Sequence, residues 1–146
     1  MREVRVENIV ACSAEAFWKL FVDRTYNEAL FREGLGFVEF EIVEMTASRR
    51  VVRCTPKVSV PGPLRKLLGD RFSYEERGEM DQSGSLWRWE VFPNALQGKI
   101  TNKGTVSIED LGDGSCKRID EMRVEARVFA VGGLIESSTE SQVSDA

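Results

Sequence analysis

Apolar and polar residues alternate along most of this chain, and the places where the alternation breaks mark its helices and turns. Val4, Val6 and Val10 fall on one face, with Arg5 and Glu7 on the other, the period-two signature of a half-buried strand. The period then changes. Ser13 stands where a helix N-cap would, and Ala14, Phe17, Trp18 and Phe21 follow at helical spacing. Thr25 and Glu28 have capping-box spacing, Tyr26 and Leu30 recur on one side, and Gly34 is placed to stop a second short helix.

From Leu35 the alternation returns. Val38, Phe40 and Ile42 against Glu39 and Glu41 predict a second strand. Residues 49–58 predict a third, whose facing is ambiguous because Val51 and Val52 are both apolar. Two more strands, 71–80 and 86–92, flank the turn-rich Asp81-Gln82-Ser83-Gly84. Paired about that turn, they place Trp89 opposite Glu76 and Trp87 opposite Gly78. One face then gathers Phe72, Tyr74, Glu76, Trp87, Trp89 and Val91. Residues 99–111 turn Ile100, Asn102, Gly104, Val106 and Ile108 to one side. Past Gly112-Asp113-Gly114, residues 115–128 turn Met122, Val124, Ala126 and Val128 inward and Glu121, Arg123, Glu125 and Arg127 outward. The tail from Leu134 to the end reads as a helix.

Consecutive strands joined by short turns pair antiparallel, and a sheet with one apolar face needs a cover. The order therefore predicts an α+β protein: a curved seven-stranded antiparallel sheet, two short helices after its first strand, and a C-terminal helix across it. At 146 residues one domain, 1–146, is expected.

Composition adds exclusions. Histidine is absent, which removes Ser-His-Asp and Cys-His catalysis and histidine-ligated metal sites from this chain. Phosphate-binding glycine loops are absent too, so no cofactor is expected. Three cysteines, Cys12, Cys54 and Cys116, have no metal-ligand spacing and read as buried free thiols in a reducing compartment. The N-terminus lacks the apolar core of a signal peptide, and a cytoplasmic location is expected. The net charge is −4, yet residues 45–71 carry seven cations and one anion. That segment suits an anionic partner. Within it, residues 58–69 join Pro61, Gly62 and Pro63 to Leu64, Arg65, Lys66, Leu67 and Leu68, a mixture fitted either to an anionic membrane surface or to a lid over a pocket. Nucleic acid is not expected as a partner, because the acidic remainder repels phosphate.

The order of elements, with the run Val128-Phe129-Ala130-Val131-Gly132-Gly133-Leu134-Ile135-Glu136 entering the last helix, resembles the START-like, or Bet v 1-like (SRPBCC), superfamily of helix-grip folds, in a branch of unassigned function. The resemblance covers essentially the whole chain. It implies a cavity between sheet and terminal helix that takes lipids, sterols or other hydrophobic small molecules. The terminal helix is short beside those of the superfamily, which implies a cavity open at one end or completed by a partner. The expected ligand-binding residues are Phe72, Tyr74, Glu76, Trp87, Trp89, Asn102, Met122, Val124 and Leu134. Glu76 and Asn102 stand out because an inward polar group needs a partner when buried. A cyclase- or dehydratase-type enzyme using Glu76 as acid or base is the alternative; docking through residues 49–71 is a third.

Overall fold

The change of period after the first strand builds two short helices against one end of a sheet. In the computed structural model, which describes residues 1–57, 72–95, 98–127, 136, 139 and 140, strand β1 (Arg2–Val10) leads into α1 (Ala14–Phe21). Ser13 is its N-cap, accepting from the Ala16 N–H at 3.2 Å. The second helix, α2 (Arg24–Ala29), is capped two residues earlier than the Thr25/Glu28 spacing predicts: Asp23 accepts from the Tyr26 N–H at 2.7 Å. Asp ranks above Thr as an N-cap, and the charged carboxylate of Asp23 follows closely on α1. A π-helical turn (Leu30–Gly34) continues α2, and the left-handed stop falls on Gly36 (φ 67°) rather than Gly34.

The remaining strands are β2 (Glu39–Met45), β3 (Arg49–Thr55), β4 (Tyr74–Met80), β5 (Leu86–Pro93), β6 (Ile100–Asp110) and β7 (Cys116–Ala126). All pair antiparallel in the order β1-β7-β6-β5-β4-β3-β2, a meander closed by β1 on the last strand. Two apolar clusters sit on the inner face. One holds Phe17, Trp87, Val106 and Cys116 under α1; the other holds Phe31, Phe40, Val52 and Cys54 under the π-helical turn. The facing of β3 is settled by its pairing: Arg50, Val52 and Cys54 point inward beside Gly78, Glu76 and Tyr74.

The β4–β5 register differs by two residues from the expected one. Trp89 lies opposite Gly78 and Val91 opposite Glu76. The hairpin closes at Asp81 and Leu86, whose backbones bond at 2.9 Å, leaving four residues in the loop. A two-residue shift keeps every side chain on its expected face.

Both inward tryptophans lean over a glycine of a neighbouring strand. A Cβ on Gly78 would lie 2.3 Å from Trp87 Nε1, and one on Gly104 would lie 2.7 Å from Trp89 Cζ2. Trp87 is wholly buried and cannot swing clear. Outside, the sheet carries ladders of exposed ion pairs such as Arg5–Glu121 and Arg123–Glu3, each contributing little to stability.

Glu136, Thr139 and Glu140 are helical, and Glu136 holds the last helix to the sheet edge. Its buried carboxylate accepts from the Ala126 N–H at 2.9 Å and from the Met1 ammonium at 2.9 Å, while Glu140 lies 3.8 Å from Arg2. Among the described residues no helix is long and apolar enough to cross a membrane.

Two outcomes follow from this packing. Gly78→Ala should lower stability by about 1–3 kcal/mol in urea denaturation, the usual cost of overpacking a core; an unchanged midpoint would contradict the Trp87 contact. The hydrogen bond from the Met1 ammonium, then that from Ala126, holds the Glu136 carboxyl below its ordinary value of 4.5. A depressed folded pKa gives stability that is present above the unfolded value and lost as pH falls through the folded one. Thermal midpoints of Glu136→Gln should therefore fall less steeply below about pH 4.5 than those of the unsubstituted protein; parallel curves would remove Glu136 from the acid response.

Candidate functional site

Inward residues of the central strands form a half-exposed strip between two buried walls. Tyr74 and Glu76 on β4, Trp89 and Val91 on β5, and Ile100 and Asn102 on β6 retain partial exposure. On one side stand Phe40, Val52 and Cys54, at 3% exposure or less; on the other stand Met122 and Val124, at 4% and 0%. The pairings align one cross-strand row as Val52, Glu76, Val91, Asn102 and Val124. Strands about 4.8 Å apart put the Glu76 and Asn102 backbones roughly 10 Å from each other, with Val91 between.

At the α1 end, the strip meets a polar junction. Arg50 bonds Glu76 Oε1 at 3.0 Å, Asn27 Oδ1 at 3.0 Å and the Phe21 carbonyl at 3.1 Å. Its guanidinium lies 4.3 Å from the centre of the Phe21 ring and 5.8 Å from that of Trp87, within cation–π range. Asn27, 1% exposed, donates to the Leu20, Phe21 and Asp23 carbonyls and so caps the end of α1. Phe21 ends α1, so the cation also lies at the negative end of that helix.

Sequence reasoning placed Arg50 in a basic segment suited to an anionic partner. It is instead 7% exposed and paired. Its neighbours Arg49 and Arg53 are engaged with Glu44 and Glu75, so the described strand part of the basic segment is largely neutralised by the sheet itself. Arg118 and Asp120 were also missed. They lie inward on β7, bonded at 2.8 and 3.0 Å, with Arg118 5.5 Å from the Phe17 ring centre. Counting back by twos from Met122 would have found them.

Of the expected ligand residues, Tyr74, Glu76, Trp89 and Asn102 border the strip; Trp87 is core, and Met122 and Val124 form a wall. Phe72 stands beside Tyr74, ring centres 6.2 Å apart. Leu134 and the segment containing Leu64, Arg65, Lys66, Leu67 and Leu68 lie outside the described residues. Asn102 pairs with Val91 as the last pair of β5–β6 and lies within an unbroken β6–β7 ladder, and its buried Oδ1 has no hydrogen-bond partner among the described residues.

The thiol and the phenol at this site are weak acids. Burial, then the charge of Glu76, pushes the Cys54 thiol up to about 12, and burial likewise raises the Tyr74 phenol well above its ordinary value. Glu76 is committed to Arg50, and a proton there would cost that ion pair. Two open hollows of about 970 and 780 Å³ are lined by exposed ion pairs of the sheet together with Phe92, and the second also reaches Tyr74, Val91 and Ile100.

Arg50→Met should destabilise by about 3–5 kcal/mol in urea denaturation, because Glu76 and Asn27 lose their buried partner. The double variant Arg50→Met/Glu76→Met should recover much of that loss. A double-variant loss equal to the sum of the two single losses would mean that the pair is not coupled.

Comparison with solved structures places this sheet and its helices in a Bet v 1-like, SRPBCC-type fold. TTHA0849 of Thermus thermophilus superposes with a TM-score of 0.67 at 18% identity, covering 99% of this chain and 88% of that one. The Zhui aromatase/cyclase of Streptomyces sp. R1128 gives 0.63 at 17%, over 88% and 70%. Norcoclaurine synthase of Thalictrum flavum, in complex with dopamine and hydroxybenzaldehyde, gives 0.65 at 17%, over 93% and 75%. At such identities the likeness is one of fold alone. No curated protein sequence matches significantly. A family model does match, over residues 5–146, and the chain belongs to that family, DUF2505, a family of proteins of unknown function.

Proposed function

We propose that this protein binds a hydrophobic small molecule against the inner face of β4, β5 and β6. The half-exposed strip carries the proposal. Apolar side chains are left partly uncovered there while both flanking rows are buried, and ligand sites combine an apolar lining with a few placed polar groups. Trp89 and Val91 supply the apolar floor, and Glu76 and Asn102 supply the polar groups. Similarity to Bet v 1-like folds supports the same reading, since one such neighbour, norcoclaurine synthase, holds two small aromatic molecules. Binding or transfer fits this site better than a cyclase or dehydratase reaction, because Glu76 is held by Arg50, and the Cys54 thiol and Tyr74 phenol are weakened as acids.

The test is native mass spectrometry of the purified protein, with organic extraction of whatever accompanies it. A co-purifying apolar compound is expected. Val91→Arg, which places a charge in the middle of the strip, should abolish its retention while leaving the far-ultraviolet circular dichroism unchanged. Retention unaffected by that substitution would move the ligand elsewhere and overturn the proposal.

A further inference from the structure

Resting on the pocket proposed above, we infer that its ligand is a flat, largely apolar molecule bearing a hydroxyl at each end, one meeting Asn102 and the other Glu76. The two polar side chains share one cross-strand row, with only Val91 between them. A plain hydrocarbon chain lying there would leave both in apolar surroundings.

Asn102 Oδ1 is the sharper observation. It is buried, and it has no hydrogen-bond partner among the described residues. Buried side-chain oxygens are nearly always satisfied, because an unmade bond costs the full desolvation of the group. Its cross-strand neighbours on the inner face are Val91 and Val124, neither able to donate from a side chain. The missing donor is therefore supplied by what lies on the strip. A hydroxyl suits it in either orientation of the amide, since it both donates and accepts.

Glu76 offers the matching acceptor at the other end. Arg50 holds Oε1 at 3.0 Å, which fixes the carboxylate and leaves Oε2 without a hydrogen bond among the described residues. Its side chain is 16% exposed, so a ligand hydroxyl can reach it. Because Arg50 and Asn27 already orient the carboxylate, the bond adds little ordering cost on binding. Val91 between the two acceptors and, in the next row, the indole of Trp89 lowered over Gly104 present apolar surface suited to a planar ring system.

The probes are biphenyl, its derivative with one terminal hydroxyl, its derivative with a hydroxyl at both far ends, and oleate, each titrated against the full chain by calorimetry or tryptophan fluorescence. Each hydroxyl should tighten binding about tenfold, the worth of one hydrogen bond to an otherwise unsatisfied buried group. The diol should outcompete oleate. In Asn102→Leu, one of the two tenfold steps should vanish. The same variant should melt at a higher temperature without ligand, because it removes an unsatisfied buried oxygen.

Biphenyl binding as tightly as the diol would overturn two-ended recognition while leaving the pocket intact. So would oleate binding more tightly than the diol, or a lower melting temperature for Asn102→Leu. Failure of all four probes would overturn the pocket itself, a separate outcome from the first. The three biphenyls can be compared on the unsubstituted protein, so the test does not depend on any variant folding.

Discussion

The guanidinium of Arg50 is the join between the helical end of the molecule and its sheet. It rises from β3 into a space bounded by the end of α1, the Asn27 side chain of α2, and Glu76 of β4. A buried cation is costly to desolvate, and its cost is offset only when every partner is present at once. That condition ties the helices to one position over the sheet, because displacing α1 or α2 would strand the charge. The two apolar clusters flanking the junction could each tolerate some sliding, since hydrophobic contact has no direction. Hydrogen bonds to Asn27 and the Phe21 carbonyl do have one, and they remove that freedom. The same pairing immobilises Glu76, so one interaction both sets the packing and presents an acceptor to the strip.

The floor of the strip depends on a second constraint. Indole rings are wide, and standing upright on a concave face they would fill it. Trp87 and Trp89 instead lean over Gly78 and Gly104, where no Cβ holds them off. Trp87 disappears into the core and Trp89 stays half-exposed, which leaves room over β4, β5 and β6. Rigid aromatic surface with placed polar groups at its margins is suited to selecting shape as well as apolarity. A proposed site on three paired strands is also held more firmly than one on loops.

Much of this was legible in the chain. Period-two alternation placed Tyr74, Glu76, Trp87, Trp89 and Asn102 on the inner face, and a two-residue error in hairpin register left that facing intact. Glu76 and Asn102 drew notice because they interrupt an apolar face. Arg50 did not, because in sequence it stands beside Arg49 within a basic run and looks like another solvated cation. Its partner Asn27 lies 23 residues away on a helix, and nothing local marks the two as neighbours. Arg118 and Asp120 share the inward parity of Met122, yet they read as ordinary strand charges until the pairing with β1 and β6 fixes their side of the sheet.

By itself the sequence determined the strand count, the face of every strand but β3, the antiparallel order and the two early helices, because those follow from periodicity, capping residues and short turns. Such signals are local. Only the tertiary structure decided that Arg50 is buried and paired, that Asn102 Oδ1 has no partner among the described residues, and that the tryptophans lie over glycines. Each of these depends on which residue a neighbouring strand brings opposite, and on how far one side chain reaches across to another. Spacing along the chain carries the first kind of information and is silent on the second.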